Sequence, residues 1–244
     1  MPTPPSFASL VTEYSDLFNS CVPGGRADGT IHSDRLIDID QTVDAIMAHM
    51  GRYAAVTEGG SITGAAEVLD GMPPVFVGLI HTMEASGDFS QGLYNGDPLT
   101  RRTVNVPRGR PLQGEPPFTW EYVAIDALMY ERTQGDWRGL SPEDWADWSV
   151  AGICYKLEAY NGWGSRIYHG TPTAYLWAGS NHYTSGKYVS DGVWDSNAVS
   201  DEEGAAVLLK RMTVKGLVAL KATPVFVAEP ELRGDEPAST GGAA

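Results

Sequence analysis

Two carboxylic residues, Glu84 and Asp97, stand where an apolar run gives way to a loop, and carboxyl groups suit acid–base chemistry. Residues 73–83 are mostly apolar, so we predict a buried helix that ends near Gly87, a typical helix stop. Glu84 then lies in the last turn of a buried element. Burial raises the pKa of a carboxyl group toward the range in which it donates a proton near neutral pH. The alternative is a glutamate that faces water.

A pair of carboxyl groups can cleave a glycosidic bond. One group protonates the leaving oxygen, and the other positions water or stabilises positive charge on the sugar. Residues 163–194 are rich in aromatic side chains, which offer flat apolar surfaces to sugar faces. Asp97 has an alternative role as a turn acid, because it precedes Pro98. Together these features predict carbohydrate chemistry.

Helical periodicity and capping signals predict the elements that position these residues. Residues 87–117 interrupt the helices with many Gly and Pro residues. There, Asn95-Gly96 and the alternating run 103–106 predict a small β-hairpin. So long an excursion inside a compact domain is usually functional. The predicted fold class is mainly α (α+β), with helices over 34–55, 61–69, 73–84, 119–131, 141–160 and 200–212.

The 244 residues are predicted to contain one folded domain. Residues 1–33 are expected to be an irregular N-terminal arm, and residues 34–228 a single domain. Residues 229–244 are expected to be a disordered tail, because they are polar and rich in Gly and Pro. Cys154 lies in an apolar run and is expected in the core, and a Cys21–Cys154 bridge is the less favoured alternative.

Composition excludes several classes of function. A net charge of −14 argues against nucleic acid as a partner, because a phosphate backbone requires a basic surface. No apolar run reaches the roughly 18 residues of a membrane span. The N-terminus lacks the basic and apolar regions of a secretory signal peptide. The five histidines show no metal-ligand spacing, so neither a metal nor another cofactor is expected.

Several separate motifs occur in the order typical of one known family. They are IHTMEAS, NGDPLTRRTVNVPRGRP, PPFTWEYVAIDAL, YKLEAYNGWGSR, AYLWAGSNHYTSGKYVSDG and GAAVLLKRM. Over residues 35–213 the chain resembles a family of lysozyme-like proteins, encoded by phages and bacteria, that are regarded as peptidoglycan hydrolases. It is more distantly similar to lytic transglycosylases and goose-type lysozymes.

The resemblance implies roles for individual residues. Glu84-Ala85-Ser86 is similar to the Glu-Ser region of lytic transglycosylases and goose-type lysozymes, with one residue inserted. Ala159-Tyr160-Asn161-Gly162 is similar to their Ala-Tyr-Asn motif. Glu84 would be the general acid, and Asp97 would match the second acid of goose-type enzymes. The residues expected to bind substrate are Ser86, Arg101, Tyr160, Asn161, Trp177 and Tyr183.

Two further features have open alternatives. Arg101 belongs to a cluster with Arg102, Arg108 and Arg110, which either contacts anionic peptide stems of peptidoglycan or pairs with neighbouring carboxylates. His81 lies one helical turn before the general acid, so it either bonds to that carboxyl group or packs in the core.

The resemblance therefore implies a lysozyme-like fold, with a cleft between the helical body and the 87–117 hairpin. It implies a muramidase that cleaves the glycan strand of peptidoglycan, by hydrolysis or by the transglycosylase route. One alternative is a non-catalytic phage virion or cell-wall glycan-binding protein on the same fold, and another is a chitin or chitosan hydrolase. The protein is expected to be made in the cytoplasm and to reach the cell wall after lysis, by export or within a phage particle.

Overall fold

The computed structural model describes residues 3–221, which form eleven α-helices and one two-stranded antiparallel sheet. The fold class is therefore mainly α, as predicted. The elements are α1 (Phe7–Ser20), α2 (Ser33–Ala48), α3 (Met50–Thr57), α4 (Ala65–Val68), α5 (Pro74–Ala85), α6 (Trp120–Thr133), α7 (Pro142–Ala146), α8 (Val150–Asn161), α9 (Gly164–His169), α10 (Ala174–Trp177), β1 (Lys187–Ser190), β2 (Val193–Asp195) and α11 (Ala205–Val214).

Helix α5 lies at the centre of the helical body, in contact with α2, α3 and α11. Its residues from Val75 to His81 are all buried, and removal of this apolar surface from water is the main free-energy gain of packing. Gly78 lets its neighbours approach closely, since a Cβ there would lie 2.8 Å from Ile46 and 2.9 Å from Tyr53. The predicted buried helix is confirmed.

The N-terminal arm predicted over residues 1–33 is wrong for residues 7–20, which form helix α1. Its buried residues recur at three- and four-residue steps and pack against α8. The Tyr14 hydroxyl donates a 2.7 Å hydrogen bond to the buried Glu158, which also pairs with Arg166. The prediction missed this amphipathic pattern because the first residues of the segment are rich in Pro and Ser.

Two predicted long helices are each divided in the structure. The helix expected over 34–55 breaks at His49, which separates α2 from α3. The helix expected over 141–160 breaks at residues 147–149, where the buried Lys156 ammonium donates to the main-chain oxygens of Asp144 and Asp147. In a continuous helix these carbonyl groups would have accepted hydrogen bonds from main-chain N–H groups, and here the Lys156 ammonium takes that place.

The last predicted helix begins later than expected, at Ala205 rather than near Ser200. Gly204 is packed directly against the main chain of α10, and a Cβ there would lie 2.3 Å from the carbonyl oxygen of Leu176. Residues 200–203 instead form a segment tied to α2 by the Arg35–Glu203 ion pair, at 3.0 Å.

The hairpin predicted in residues 87–117 is wrong, since this loop contains no strand. Its main chain is held by side chains and isolated bonds, including the bridge between Gln91 and Pro98. The antiparallel pair is β1–β2, where Tyr188 lies opposite Trp194 and Gly192 has the positive φ of a turn. A Gly- and Asn-rich loop carries turn signals whether or not strands flank the turn.

Cys21 and Cys154 are both buried and free, so no bridge joins them. Within residues 3–221, no helix is long and apolar enough to cross a membrane. The predicted tail, residues 229–244, lies outside the described residues, and the single domain over 34–228 stays a prediction.

Candidate active site

Glu84 occupies the C-terminal turn of α5, half-buried, and Ser86 ends the helix in the left-handed region at φ 50°. The Tyr175 hydroxyl, from α10, donates a 2.9 Å hydrogen bond to Glu84 Oε1. Burial raises the pKa of Glu84 to about 7, against a smaller lowering by the Tyr175 bond, and the negative charges of Glu131 and Glu202 raise it further. Glu84 therefore carries a proton in mildly acidic solution and exchanges it near neutrality.

Glu84 opens into a cavity of about 530 Å³, which we call the carboxylate cavity. Glu131 and Asp136 line it beside Glu84, and Tyr160 and Asn161 line it from the end of α8. The lining thus brings together three carboxyl groups, the guanidinium group of Arg138, three tyrosine rings and three amide side chains. Acid–base chemistry on a polar substrate fits this combination.

Glu131, in the last turn of α6, is a site residue that the sequence prediction missed. Burial raises its pKa to about 7, against a lowering by the hydrogen bond from the Asp136 main chain, and the charge of Asp136 adds a smaller rise. Its Oε2 accepts a 3.1 Å hydrogen bond from the Asp136 main-chain N–H, and within residues 3–221 no cation pairs with it. A carboxylate at a helix C-terminus opposes the helix dipole, and that is the sequence signal which could have marked Glu131.

Tyr160 and Asn161 line the carboxylate cavity, but neither bonds to Glu84. The Tyr160 hydroxyl donates to the carbonyl oxygen of Leu93 at 2.8 Å, and Asn161 Nδ2 contacts Thr173 Oγ1 at 3.4 Å. Tyr175 is the residue that positions Glu84, and the sequence prediction did not assign it. Tyr175 is far from Glu84 along the chain, so no local sequence pattern links the two residues.

Asp97, the predicted second acid, is buried and is not among the residues that line the carboxylate cavity. Its Oδ2 accepts hydrogen bonds from the main-chain N–H groups of Val104 and Asn105, at 3.3 and 3.2 Å. These bonds hold the 87–117 loop in shape. The geometry favours the loop-bracing alternative for Asp97.

The predicted sugar platform at Trp177 is wrong, because this side chain is fully buried. Trp177 belongs to the short helix α10, which packs against α8 and α11 and so leaves no ring face for a ligand. Tyr183 lies in a different hollow, with Arg35. Its hydroxyl contacts the carbonyl oxygens of Gly186 and Ala198, each at 3.3 Å.

The arginine cluster divides between the two alternatives. Arg110 pairs with Asp126 at 2.6 Å, and Arg102 donates to the Gly114 carbonyl oxygen at 2.6 Å, so both brace the loop. Arg101 and Arg108 are exposed, and within the described residues neither takes part in an ion pair. These two remain available to an anionic ligand.

His81 is a core residue, fully buried against Trp120 and Phe89, and its Nδ1 lies 3.1 Å from the Tyr53 hydroxyl. Burial lowers its pKa to about 4. It therefore stays neutral at physiological pH and makes no contact with Glu84 that would relay a proton.

Among the described residues, no group of three or more His, Cys, Asp or Glu side chains is placed to hold a metal ion. Comparison of the chain with models of known families, with curated proteins and with solved structures finds no match. The case for a function therefore depends on the geometry of the carboxylate cavity and on the sequence motifs.

Proposed function

We propose that this protein is a glycoside-cleaving enzyme in which Glu84 is the general acid. The observation that carries the proposal is the half-buried Glu84, whose pKa is raised to about 7 at the wall of a cavity that holds a second carboxyl group. The sequence motifs narrow the substrate. They favour the glycan strand of peptidoglycan, which makes the protein a lysozyme-like muramidase.

The proposed reaction begins with protonation of the glycosidic oxygen by Glu84. The C–O bond breaks, its electron pair stays on the leaving oxygen, and positive charge develops on the sugar. Tyr175 holds one oxygen of Glu84 in place, so the other faces the substrate. The Glu84 carboxylate that results is stabilised by the same hydrogen bond.

Completion of the reaction follows one of two routes. In hydrolysis, Glu131 accepts a proton from the attacking water, which adds to the sugar and gives a reducing end. In transglycosylation, Glu84 takes the proton back from the sugar's own hydroxyl, which closes a 1,6-anhydro ring. Glu131 lines the same cavity as Glu84. That placement supports hydrolysis.

The deciding experiment compares wild type with Glu84→Gln on purified peptidoglycan. We expect at least a ~100-fold loss of soluble glycan release, because glutamine keeps the shape but has no proton to donate. Glu67→Gln, the same change at an exposed position on α4, is the control and should retain full activity. Mass spectrometry of the products separates reducing ends from 1,6-anhydro ends. Equal release by wild type and Glu84→Gln would refute the proposal.

A chitosan hydrolase is the second candidate, because the three carboxyl groups of the carboxylate cavity outnumber its one guanidinium group, that of Arg138. Negative charge attracts a polymer that carries ammonium groups. Faster cleavage of chitosan than of peptidoglycan would support this candidate. Glycan binding without any cleavage over a range of pH would instead support a non-catalytic virion or cell-wall protein.

A further inference from the structure

A second hollow lies beside the carboxylate cavity, between α10 and the β1–β2 hairpin. Its volume is about 170 Å³, and we call it the hairpin hollow. Lys187 and Tyr188 of β1 form one wall, Tyr175 forms another, and Glu202 lies at its edge. The proposed reaction assigns no role to Lys187 or Tyr188.

The hairpin hollow and the carboxylate cavity are neighbours. Asn161 lines both of them. Tyr175 lines the hairpin hollow, and its hydroxyl bonds to Glu84, which lines the carboxylate cavity. A polymer that passes Glu84 would therefore occupy both spaces at once.

The polar groups of the hairpin hollow match sugar hydroxyls. A lysine ammonium only donates hydrogen bonds and a carboxylate only accepts them, whereas a hydroxyl does both. Within residues 3–221, neither Lys187 nor the Glu202 carboxylate takes part in an ion pair, so both are available to a ligand. Asn161 and Thr173 add an amide and a hydroxyl.

Tyr188 offers an aromatic face that is fixed before any ligand arrives. The residue is 37% exposed, its ring packs edge-on against Trp194 at 5.2 Å, and its hydroxyl lies 3.2 Å from His169 Nε2. Trp194 in turn stacks on His169 at 3.9 Å. Gly164 allows this packing, since a Cβ there would lie 2.8 Å from the Tyr188 hydroxyl. A ring held this way loses little side-chain entropy on binding.

We infer that the hairpin hollow is a subsite that binds one sugar unit of the glycan, directly beside the bond that Glu84 protonates. The sugar face lies on Tyr188, and its hydroxyls bond to Lys187, Glu202 and Asn161. This inference rests on the proposed function. It gives the β1–β2 hairpin the substrate-binding role that the sequence prediction placed at Trp177.

Binding is measured by titration calorimetry in the full-length Glu84→Gln protein, with peptide-free peptidoglycan glycan strands as the probe. Tyr188→Ala should raise Kd roughly ten-fold, through loss of the aromatic contact. Tyr188→Phe, which keeps the ring, should bind nearly as well as its parent. Tyr168→Ala is the matched control, since Tyr168 is exposed but does not line the hollow. Thermal unfolding verifies that each variant is folded.

A second readout uses the active enzyme on short glycan oligomers. Loss of one subsite should change which bond is cleaved, so Tyr188→Ala should shift the distribution of product lengths while Tyr168→Ala does not. An unchanged Kd and unchanged product lengths in Tyr188→Ala would overturn the subsite alone. Failure of both wild type and Glu84→Gln to bind or cleave any glycan would overturn the proposed function with it.

Discussion

The carboxylate cavity and the hairpin hollow lie on either side of the Tyr175–Glu84 hydrogen bond, and they offer different side chains. The cavity holds Glu84 and Glu131, whose pKa values are both raised to about 7 by burial. The hollow holds one cation, one carboxylate and an exposed aromatic ring. Desolvated acids suit proton transfer, whereas solvated charges beside a ring suit recognition.

Because the two regions offer different side chains, we expect substitutions in them to affect different kinetic properties. Changes in the carboxylate cavity should lower kcat and alter the products. Changes in the hairpin hollow should raise KM and leave the ratio of reducing ends to 1,6-anhydro ends unchanged. The predictions below test this division, in order of decreasing effect.

Glu131→Gln should lower the rate of glycan cleavage by about 100-fold, because it removes the group that accepts a proton from water. The remaining products should shift from reducing ends toward 1,6-anhydro ends. Mass spectrometry of digested peptidoglycan measures both quantities. Glu202→Gln, on the other side of Tyr175, should raise KM with no change in the product ratio.

Glu67→Gln is again the control for Glu131→Gln, and it should match wild type in rate and products. A Glu131→Gln protein with wild-type rate and wild-type products would remove Glu131 from the reaction. The cavity and the hollow would then differ in charge but not in function.

Asp97→Ala should lower the free energy of unfolding by about 1–3 kcal/mol, since it removes two hydrogen bonds from the buried carboxylate to the main-chain N–H groups of Val104 and Asn105. Asp97→Asn keeps one acceptor oxygen and should cost less. Denaturant unfolding measures the loss. The ratio of reducing ends to 1,6-anhydro ends should stay at the wild-type value in both variants. A changed ratio would indicate that Asp97 takes part in catalysis.

Tyr175→Phe and Glu202→Gln should move the pH profile of cleavage in opposite directions. The Tyr175 hydroxyl stabilises the charged form of Glu84, so its removal raises the pKa of Glu84. The charge of Glu202 disfavours that form, so its removal lowers this pKa. Because the protonated acid is the active form, the alkaline limb of kcat/KM should shift up in the first variant and down in the second, each by a fraction of a pH unit. Shifts in the same direction would contradict the assignment of Glu84.

The sequence predicted the central helix and the half-buried position of Glu84 at its end, because both depend on local signals. The apolar run of α5 and the stop at Gly87 are visible within fifteen neighbouring positions. Thr119 likewise caps α6 as predicted, and its hydroxyl accepts the Tyr122 N–H. Such features need no knowledge of distant packing.

The partners of Glu84 could not be predicted, because they come from distant parts of the chain. Asp97 is near Glu84 in sequence but braces a loop, whereas Glu131 reaches the cavity only through the packing of α6. Trp177 looked exposed among Gly, Ser and Asn residues, yet α10 is enclosed by α8 and α11. Tertiary contacts therefore determine both which carboxyl group lies near Glu84 and whether Trp177 is exposed.

Helix α1 packs on α8, the helix whose end carries Tyr160 and Asn161 into the carboxylate cavity. Tyr14 and Glu158, which join the two helices, are 144 positions apart. At a synthesis rate of about 5–20 residues per second, Tyr14 is added to the chain roughly 7–30 s before Glu158. During that interval the apolar face of α1 has no α8 to pack against, so α1 reaches its place only after α8 has been made.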